Sequence, residues 1–550
     1  SSWSILNNRI YQTAARTNTG SLLYTGIRVN SSTSGGFIIE GNYIGGADEL
    51  GNGVSSYGSG SAQYAGIHFW AATSPVSSIT GNTIKNISFT SISASTAAQG
   101  VFSGIYVATI SGVNIQNNVV GANDVNGSIN VTVNTNSGAL VFGIRSESAN
   151  TGQVSGNLVG GITATGTGTN NAIGMHGINL SGGVSAVANN NIGSATVANS
   201  MQINGTSTTN SSPFSGITVV ASSSFFPSIR DNNIQNITNN NTGSAGTGIG
   251  ISTSGGGVFS ITGNTIANLS TRLSTSGVGT SSSIVGITQT SANTTPHAIS
   301  GNRIYNLSNN NTTGAATVTG IHFSGGTAFS AISKNLVYNL KSSNLAASGI
   351  TGIHISTVCI VSNNMVRLGY DAAGASIDLP VINGIFKDGT VTTRSYFNSI
   401  YIGGTSSGAA NSYAFRKSTA TQDSLRNNIF VNERTGGTGK NYAVTTTAAT
   451  AAAVNSNYNL LYTPNANGVP FGAGALGIPT VDYTLATWNT TTIGQDANSL
   501  VGTPNFVSAT STVPDLHLQS PTAAEAAGIA ISYINDDFDG DDRSLNTPTD

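Results

Sequence analysis

The stretch "AISGNRIYNLSNNN", residues 298–311, decides the fold. Its frame recurs as "SITGNTIANLS" at 260–270 and as "SITGNTIKNIS" at 78–88. In each, an apolar residue precedes a Gly-Asn pair, a second apolar residue stands two positions after that asparagine, and an Asn-Leu or Asn-Ile pair closes the phrase. The asparagines at this position are Asn8, Asn42, Asn82, Asn118, Asn157, Asn190, Asn232, Asn264, Asn302, Asn335, Asn364, Asn398 and Asn427. A second phrase, Gly-Ile followed by a short alternating run, is interleaved with the first: "TGIRV" at 25, "AGIHFW" at 65, "SGIYV" at 103, and on to "TGIHI" at 351 and "NGIFK" at 383.

From a Gly-Ile glycine to the next such asparagine is 12 to 16 residues, whereas the return step varies from 16 to 26. One part of the unit is held to length and the other is a loop. The local alternation has period two, nothing has helical spacing, and glycine and asparagine punctuate every run. Short strands at a fixed period predict an all-β fold, a single right-handed parallel β-helix of about thirteen or more coils, giving a rod ~60 Å long at the inter-strand spacing. A propeller of Trp-Asp repeats is set aside, because the chain has three tryptophans and no Trp-Asp pair.

Stacking places equivalent residues above one another. An asparagine amide both donates and accepts, so the Asn column predicts a ladder from coil to coil. A second Asn column is expected four residues on, at Asn86, Asn236, Asn268, Asn306 and Asn339. The residue before the first asparagine is glycine or asparagine in many coils (Gly41, Gly81, Gly156, Asn117, Asn189, Asn363), the types that best tolerate a left-handed corner.

Composition narrows the function classes. Only 7% of residues are charged and the net charge is −2. No basic run marks a nucleic-acid surface. No stretch nears the ~18 apolar residues of a membrane-spanning helix. The opening "SSWSILNNRI" reads as already inside a repeat, a trimmed or mature start. The lone Cys359 sits among apolar neighbours and reads as a buried structural thiol.

From about residue 465 the pattern loosens. "YTLATWNTTTIGQDANSLVGTPNFV" (483–507), "DLHLQSPTAAEAAG" (515–528) and "DDFDGDDR" (536–543) follow in order. Through Trp488, Gln495 to Ser499, Pro504, Phe506, Asp515, His517, Leu518 and Asp537 to Arg543, this tail resembles the closing segment of secreted, Bacteroidetes-type right-handed β-helix repeat proteins. The expected organisation is repeats over 1–464 and a closing segment over 465–550, continuing beyond Asp550. The resemblance implies an extracellular or outer-surface address and export as type IX secretion cargo. It implies no single activity, because the scaffold carries enzymes, adhesins and spacers alike.

Chemistry is expected on the outward column that follows each Gly-Ile: Arg28, His68, Tyr106, Arg145, Asn179, Thr218, Gly250, Thr288, His322, His354, Phe386 and Arg416. Trp70 and Glu147 stand two residues further on, facing the same way. His68, Trp70 and Tyr106 are candidates to stack on and hydrogen-bond a sugar, with Arg145, His322 and His354 completing the ligand-facing set; an ordinary solvated face is the bland alternative. His322 and His354 are expected on adjacent coils, ~5 Å apart. Two imidazoles alone make a poor zinc site.

Thirteen charged residues cluster at 367–440, among them Arg367, Lys387, Asp388, Lys417, Asp423 and Arg434, and read by default as solvated salt bridges. Asp537, Asp539 and Asp541 alternate like calcium ligands but lack the frame of an EF-hand, so a terminal turn braced by Arg543 competes with calcium as their role. No cofactor other than that calcium is expected. The expected function is an extracellular or cell-surface β-helical rod, an adhesin or structural spacer with weak glycan binding, whose partners are glycans or other surface proteins. The alternative is a polysaccharide lyase or glycosidase built on the same scaffold.

Overall fold

The computed structural model describes residues 3–543 except 59, 97, 98, 244 and 493, with the backbone alone at 491 and 492. The chain divides into two compact units, the first ending at Thr275 and the second beginning at Ser276. Each is a right-handed parallel β-helix with three stacks of strands.

In a representative coil of the first unit, the Gly-Ile strand Gln63–Trp70 leads to Ser77–Thr80. The chain turns at Gly81 and Asn82, then runs through Thr83–Ile84 and Ile87–Ser91 before a loop returns it to the next Gly-Ile strand, Phe102–Val107. The Gly-Ile strands pair in parallel and in register. Ile27, Ile67, Ile105, Ile144, Ile178, Ile217 and Ile251 form one column in the first unit. Ile287, Ile321, Ile353, Ile385, Phe415, Val444 and Phe471 form the equivalent column in the second. All of these are buried, and each contributes ~1.5–3 kcal/mol by leaving water.

The glycine of each Gly-Ile has a packing cause. A Cβ on Gly66 would lie 2.6 Å from Gly104 O and 2.9 Å from Ile84 Cγ2. Ile84 is the apolar residue two positions after the ladder Asn82, so the two sequence phrases of a coil touch each other across its core. The same contact joins Gly143 to Val159 in the first unit and Gly320 to Val337 in the second.

The asparagine ladder is present in both units. In the first it runs from Asn8 to Asn264, and in the second from Asn302 through Asn335, Asn364 and Asn398. Asn82 shows the pattern. Its Oδ1 accepts from the backbone N–H and Nδ2 of Asn42 at 3.1 and 2.9 Å, and its Nδ2 donates to Ile39 O at 2.9 Å and to Asn118 Oδ1 at 3.0 Å. One register expectation is corrected. The ladder member is Asn428, whose Oδ1 accepts from Asn398 and whose Nδ2 donates to Asn459; Asn427 occupies the left-handed corner before it, with φ 56°. Asn459 is a further rung. The corner column has positive φ throughout, including Gly81 at 64° and Asn117 at 54°. The second Asn column, Asn86 to Asn339, is likewise left-handed, with φ between 53° and 58°, and forms a second corner.

The tail gives the last coil its finish. Asn459 N donates to Ser499 Oγ at 2.9 Å, and Asp496 Oδ1 accepts from Ser499 Oγ and Ser456 Oγ at 2.6 and 2.8 Å. Trp488 is fully buried, stacks on Phe471 at 4.4 Å and donates its indole N–H to Asp496 Oδ2 at 3.0 Å. The strand Val481–Tyr483 pairs antiparallel with Gly468–Ala473. Beyond it, Phe506–Ser508 and Asp515–Leu518 form an antiparallel pair whose Leu516 packs with Met365, Tyr401, Ile429 and Leu460.

The rungs and the Gly-Ile contacts set the coil cross-section, so each should be costly to remove. Asn157→Ala leaves buried amide partners unpaired and is expected to cost ~1–3 kcal/mol. Gly143→Ala forces a methyl against Val159 and Gly177 O and is expected to cost ~1–3 kcal/mol. Thr90→Ala, exposed on a strand, should stay within ~0.5 kcal/mol. Denaturant unfolding of the three variants checks this; equal midpoints would refute the ladder as a stabilising feature.

Candidate functional site

The residues after each Gly-Ile do form an outward column. In the first unit Arg28, His68, Tyr106, Arg145, Asn179 and Thr218 are in register. The next member is Ser252 and not Gly250, because Ile251 pairs with Ile217; the Gly-Ile of this coil is Gly250-Ile251. "TGIGI" contains two such pairs, and the second is in phase.

Within this column the His68 and Tyr106 rings lie 5.2 Å apart. Tyr106 donates its hydroxyl to Glu147 Oε2 at 2.8 Å, Glu147 pairs with Arg145 at 3.1 Å, and Arg145 also donates to Asn179 Oδ1. Trp70 pairs with Asn30 in register and is half-buried. The Trp70 indole N–H and the His68 Nδ1 are shielded from solvent and make no hydrogen bond. Burial, helped by the Arg28 charge, holds His68 below its ordinary pKa. Burial and then Glu147 push the Tyr106 hydroxyl up.

A neighbouring row escaped the sequence reading. The His176 ring stacks on Phe142 at 5.3 Å, and its Nδ1 meets Ser215 Oγ at 2.6 Å. Burial and then Arg145 lower its pKa to about 4. Phe142 and His176 stand one position before the glycine of their Gly-Ile pairs, and that shared offset was the available signal.

In the second unit Thr288, His322, His354, Phe386 and Arg416 are in register. The two imidazoles lie 5.0 Å apart, as the spacing predicted, but they are buried at 5% and 2% exposure. The turn Gly279–Ser281 lies on His322, where a Cβ on Gly279 would fall 2.7 Å from Nε2. The turn Ala475–Gly477 lies by Arg416, whose Nε donates to Gly477 O at 3.3 Å.

Thr288 Oγ1 is 3.0 Å from His322 Nδ1, and Phe386 stacks on His354 at 5.1 Å. Asp388, two residues beyond Phe386 on the same face, pairs with His354 Nε2 at 2.9 Å and accepts from Ser356 Oγ at 2.6 Å. Burial opposes the Asp388 charge, yet the His354 and Ser356 hydrogen bonds outweigh it and keep the carboxyl below its ordinary value. Burial and then His354 lower the His322 pKa to about 3, so its ring is neutral at physiological pH. Ser356 gives its proton to the carboxylate and not to the imidazole. A nucleophile triad needs the imidazole to bridge hydroxyl and carboxylate through its two nitrogens, and here Asp388 at 2.9 Å and Ser356 Oγ at 3.5 Å lie on the same Nε2.

The charged cluster at 367–440 is only in part a set of solvated salt bridges, as where Asp371 pairs with Lys341 and Lys440 with Asp482. Lys387, Lys417 and Asp423 point into the core at 0% side-chain exposure. Arg367, also fully buried, donates to Asn339 Oδ1 at 2.5 Å and to the carbonyls of Ala509, Thr510 and Ser511, clamping the closing segment. Arg434 donates to Asp378 O, and Arg394 lies over Phe329 at 4.2 Å. Lys387, Lys417 and Asp423 converge on one another inside the core, whereas Arg367, Arg434 and Arg394 lie against separate carbonyls and rings. Cys359 is buried as expected, and burial and then Asp423 push its thiol up against the opposing Lys387 charge.

Two of the three alternating aspartates have separate side-chain tasks. Asp537 Oδ1 accepts from the N–H groups of Asp539, Gly540 and Asp541 at 2.8–3.0 Å, and Asp539 pairs with His517 Nε2 at 2.8 Å. Arg543 lies over the Phe397 ring at 3.9 Å and donates to Asp536 O and Asn363 Oδ1. Among the described residues no group of three or more His, Cys, Asp or Glu is arranged to hold a metal ion, and no helix is long and apolar enough to cross a membrane. A cleft of about 290 Å³ lies under this segment, between Leu516, Phe538 and Arg543 on one side and Met365, Ile429 and Leu460 on the other. Comparison with family models, curated proteins and solved structures gives no match.

Burying neutral histidines makes the fold acid-sensitive. His322 and His176 have folded pKa values of about 3 and about 4 against 6.5 for an ordinary histidine. Below pH 6.5 the unfolded chain therefore binds more protons than the folded one. Unfolding free energy should be fully present above that pH and fall as pH drops toward 4. The slope approaches ~1.4 kcal/mol per pH unit for each such histidine. Urea unfolding between pH 7 and 4 reads this out, and His322→Gln should flatten the profile; an unchanged slope would refute the burial argument.

Proposed function

We propose that the protein is an extracellular or cell-surface β-helical scaffold, an adhesin or structural spacer, that makes weak contacts with glycans. The observation that carries this reading is the use made of the charged residues. Lys387, Lys417 and Asp423 are spent in the core, Arg367 and Arg543 hold the closing segment, and Asp388 holds His354. A polysaccharide-cleaving site needs several ionisable groups converging on one cleft.

Glycan contact is assigned to the first unit. His68 and Trp70 are only half-buried there, so part of each ring is open to solvent. A partly exposed aromatic face beside basic side chains suits the apolar face of a sugar. Arg28, Tyr106 and Arg145 flank them. The extracellular address, the partners at a surface and export as secretion-system cargo rest on the resemblance of the tail at 483–543.

A glycan array combined with a degradation screen tests the reading. Weak retention, reduced several-fold by Trp70→Ala, is expected, with no new reducing ends or unsaturated products from uronic-acid or neutral polysaccharides. Turnover abolished by His354→Ala or Arg416→Ala would replace this reading with a lyase or glycosidase.

A further inference from the structure

Lys387 and Lys417 occupy equivalent inward positions on adjacent coils, and both ammonium groups meet one carboxylate. Lys387 Nζ is 3.2 Å and Lys417 Nζ 3.1 Å from Asp423 Oδ2, with all three side chains at 0% exposure. Neither lysine is aligned as a hydrogen-bond donor to that oxygen. Lys387 donates instead to Thr419 Oγ1 at 2.8 Å and Thr421 Oγ1 at 3.4 Å, and Lys417 donates to Ala453 O at 2.8 Å. Asp423 Oδ1 is held by the N–H and hydroxyl of Thr393 at 2.7 and 2.9 Å.

Two ammonium groups and one carboxylate would leave an uncompensated positive charge in a dry core, which is strongly disfavoured. A single neutral lysine would balance the charge of the site. Burial lowers both lysines despite Asp423, and Lys387 lowers Lys417 further, whereas the Asp388 charge supports the proton on Lys387. Lys387 also has two hydroxyl acceptors for its ammonium, which favours Lys417 as the neutral member of the pair.

We propose that Lys417 and Asp423 condense to an intramolecular isopeptide bond, with Lys387 as the proton donor. The Lys387 ammonium turns from Thr421 to Asp423 Oδ2, 3.2 Å away, and gives it a proton, and the Lys417 Nζ lone pair then attacks the neutral carboxyl at Cγ, forming the C–N bond. The developing negative charge on Oδ1 is met by the Thr393 N–H and hydroxyl, an oxyanion hole already in place. The Cγ–Oδ2 bond then breaks. Oδ2 leaves as water, with the proton from the Lys387 ammonium and one taken from Lys417 Nζ. A neutral amine, a carboxylate and an ammonium become an amide, a neutral amine and water. No atom is oxidised or reduced, and the ions vanish from a site that cannot solvate them. Holding amine and carboxylate in contact supplies the proximity that such a condensation lacks in free solution. The Cys359 thiol, pushed up by burial, stays protonated and does not compete.

Mass spectrometry of the intact folded chain tests this directly. The expected mass is lower than the sequence mass by one water. After tryptic digestion the peptide Lys417–Arg426 should remain uncut at Lys417, lighter by one water and resistant to hydroxylamine. Lys417→Met should restore the full mass, and Lys387→Met should slow the condensation. An unmodified mass in the folded wild-type chain overturns the proposal, whatever the variants do. So does a water loss that survives Lys417→Met or is reversed by hydroxylamine, because that marks a succinimide at Asp423. Condensation at the wild-type rate in Lys387→Met overturns the donor role.

Discussion

Everything in this fold depends on equivalent residues stacking one above another at strand spacing. The constraint rewards only side chains that can bond or pack with a copy of themselves. Asparagine at the turn does so with its amide saturated, as the four partners of Asn82 show. The apolar residue two positions later and the glycine of the Gly-Ile strand then fix the coil width by touching across the core, as Ile84 and Gly66 do. With turn and width fixed, the return loop is free to vary without disturbing the stack. This is why one step in the sequence is nearly constant and the other is not.

A stack also needs an end. The last coil would otherwise expose an open core, an unpaired ladder and strand edges that invite aggregation. The tail answers each need with a different residue: Trp488 plugs the core, Asp496 and Ser499 terminate the ladder, and Val481–Tyr483 covers part of an edge. The closing segment then grips the corner column. Lys334, Phe397 and Tyr458 hold left-handed φ there, where glycine or asparagine would be cheaper. Lys334 binds Asp536 at 2.6 Å and Phe397 lies under Arg543, so the contacts offset the backbone strain.

The ladder, the corners and the outward column were legible because each is a local spacing repeated many times. The errors fall where two residues satisfied the same rule. Asn427 and Asn428 both fit a turn. Ile429 stands two residues after the wrong one and looks like a core residue, but it points outward into the apolar patch under Leu516. The inward residue is Phe430, which is fully buried. The closing segment makes an outward face apolar and erases the alternation that would have settled the register. Burial of His322 was illegible for a related reason: its cover is the turn at Gly279–Ser281, drawn from the variable loops and not from the strand pattern. Nor does spacing reveal that Lys387 and Lys417 alternate inward, since a lysine in a core is expected only once its partner, Asp423, is known to face it.

Stacking also governs where chemistry can arise. Side chains in one outward column recur at about 5 Å, close enough for rings to touch but too regular to surround a substrate, so a site must borrow walls from loops. In the second unit the loops descend onto the column and fill it, leaving His322 neutral and His354 tied to Asp388. In the first unit Arg28 stays exposed and His68 and Trp70 half-exposed. The same architectural position is therefore sealed in one unit and open in the other. In the second unit the column is packed into the fold, whereas in the first an aromatic and basic face near His68 is left partly open to solvent.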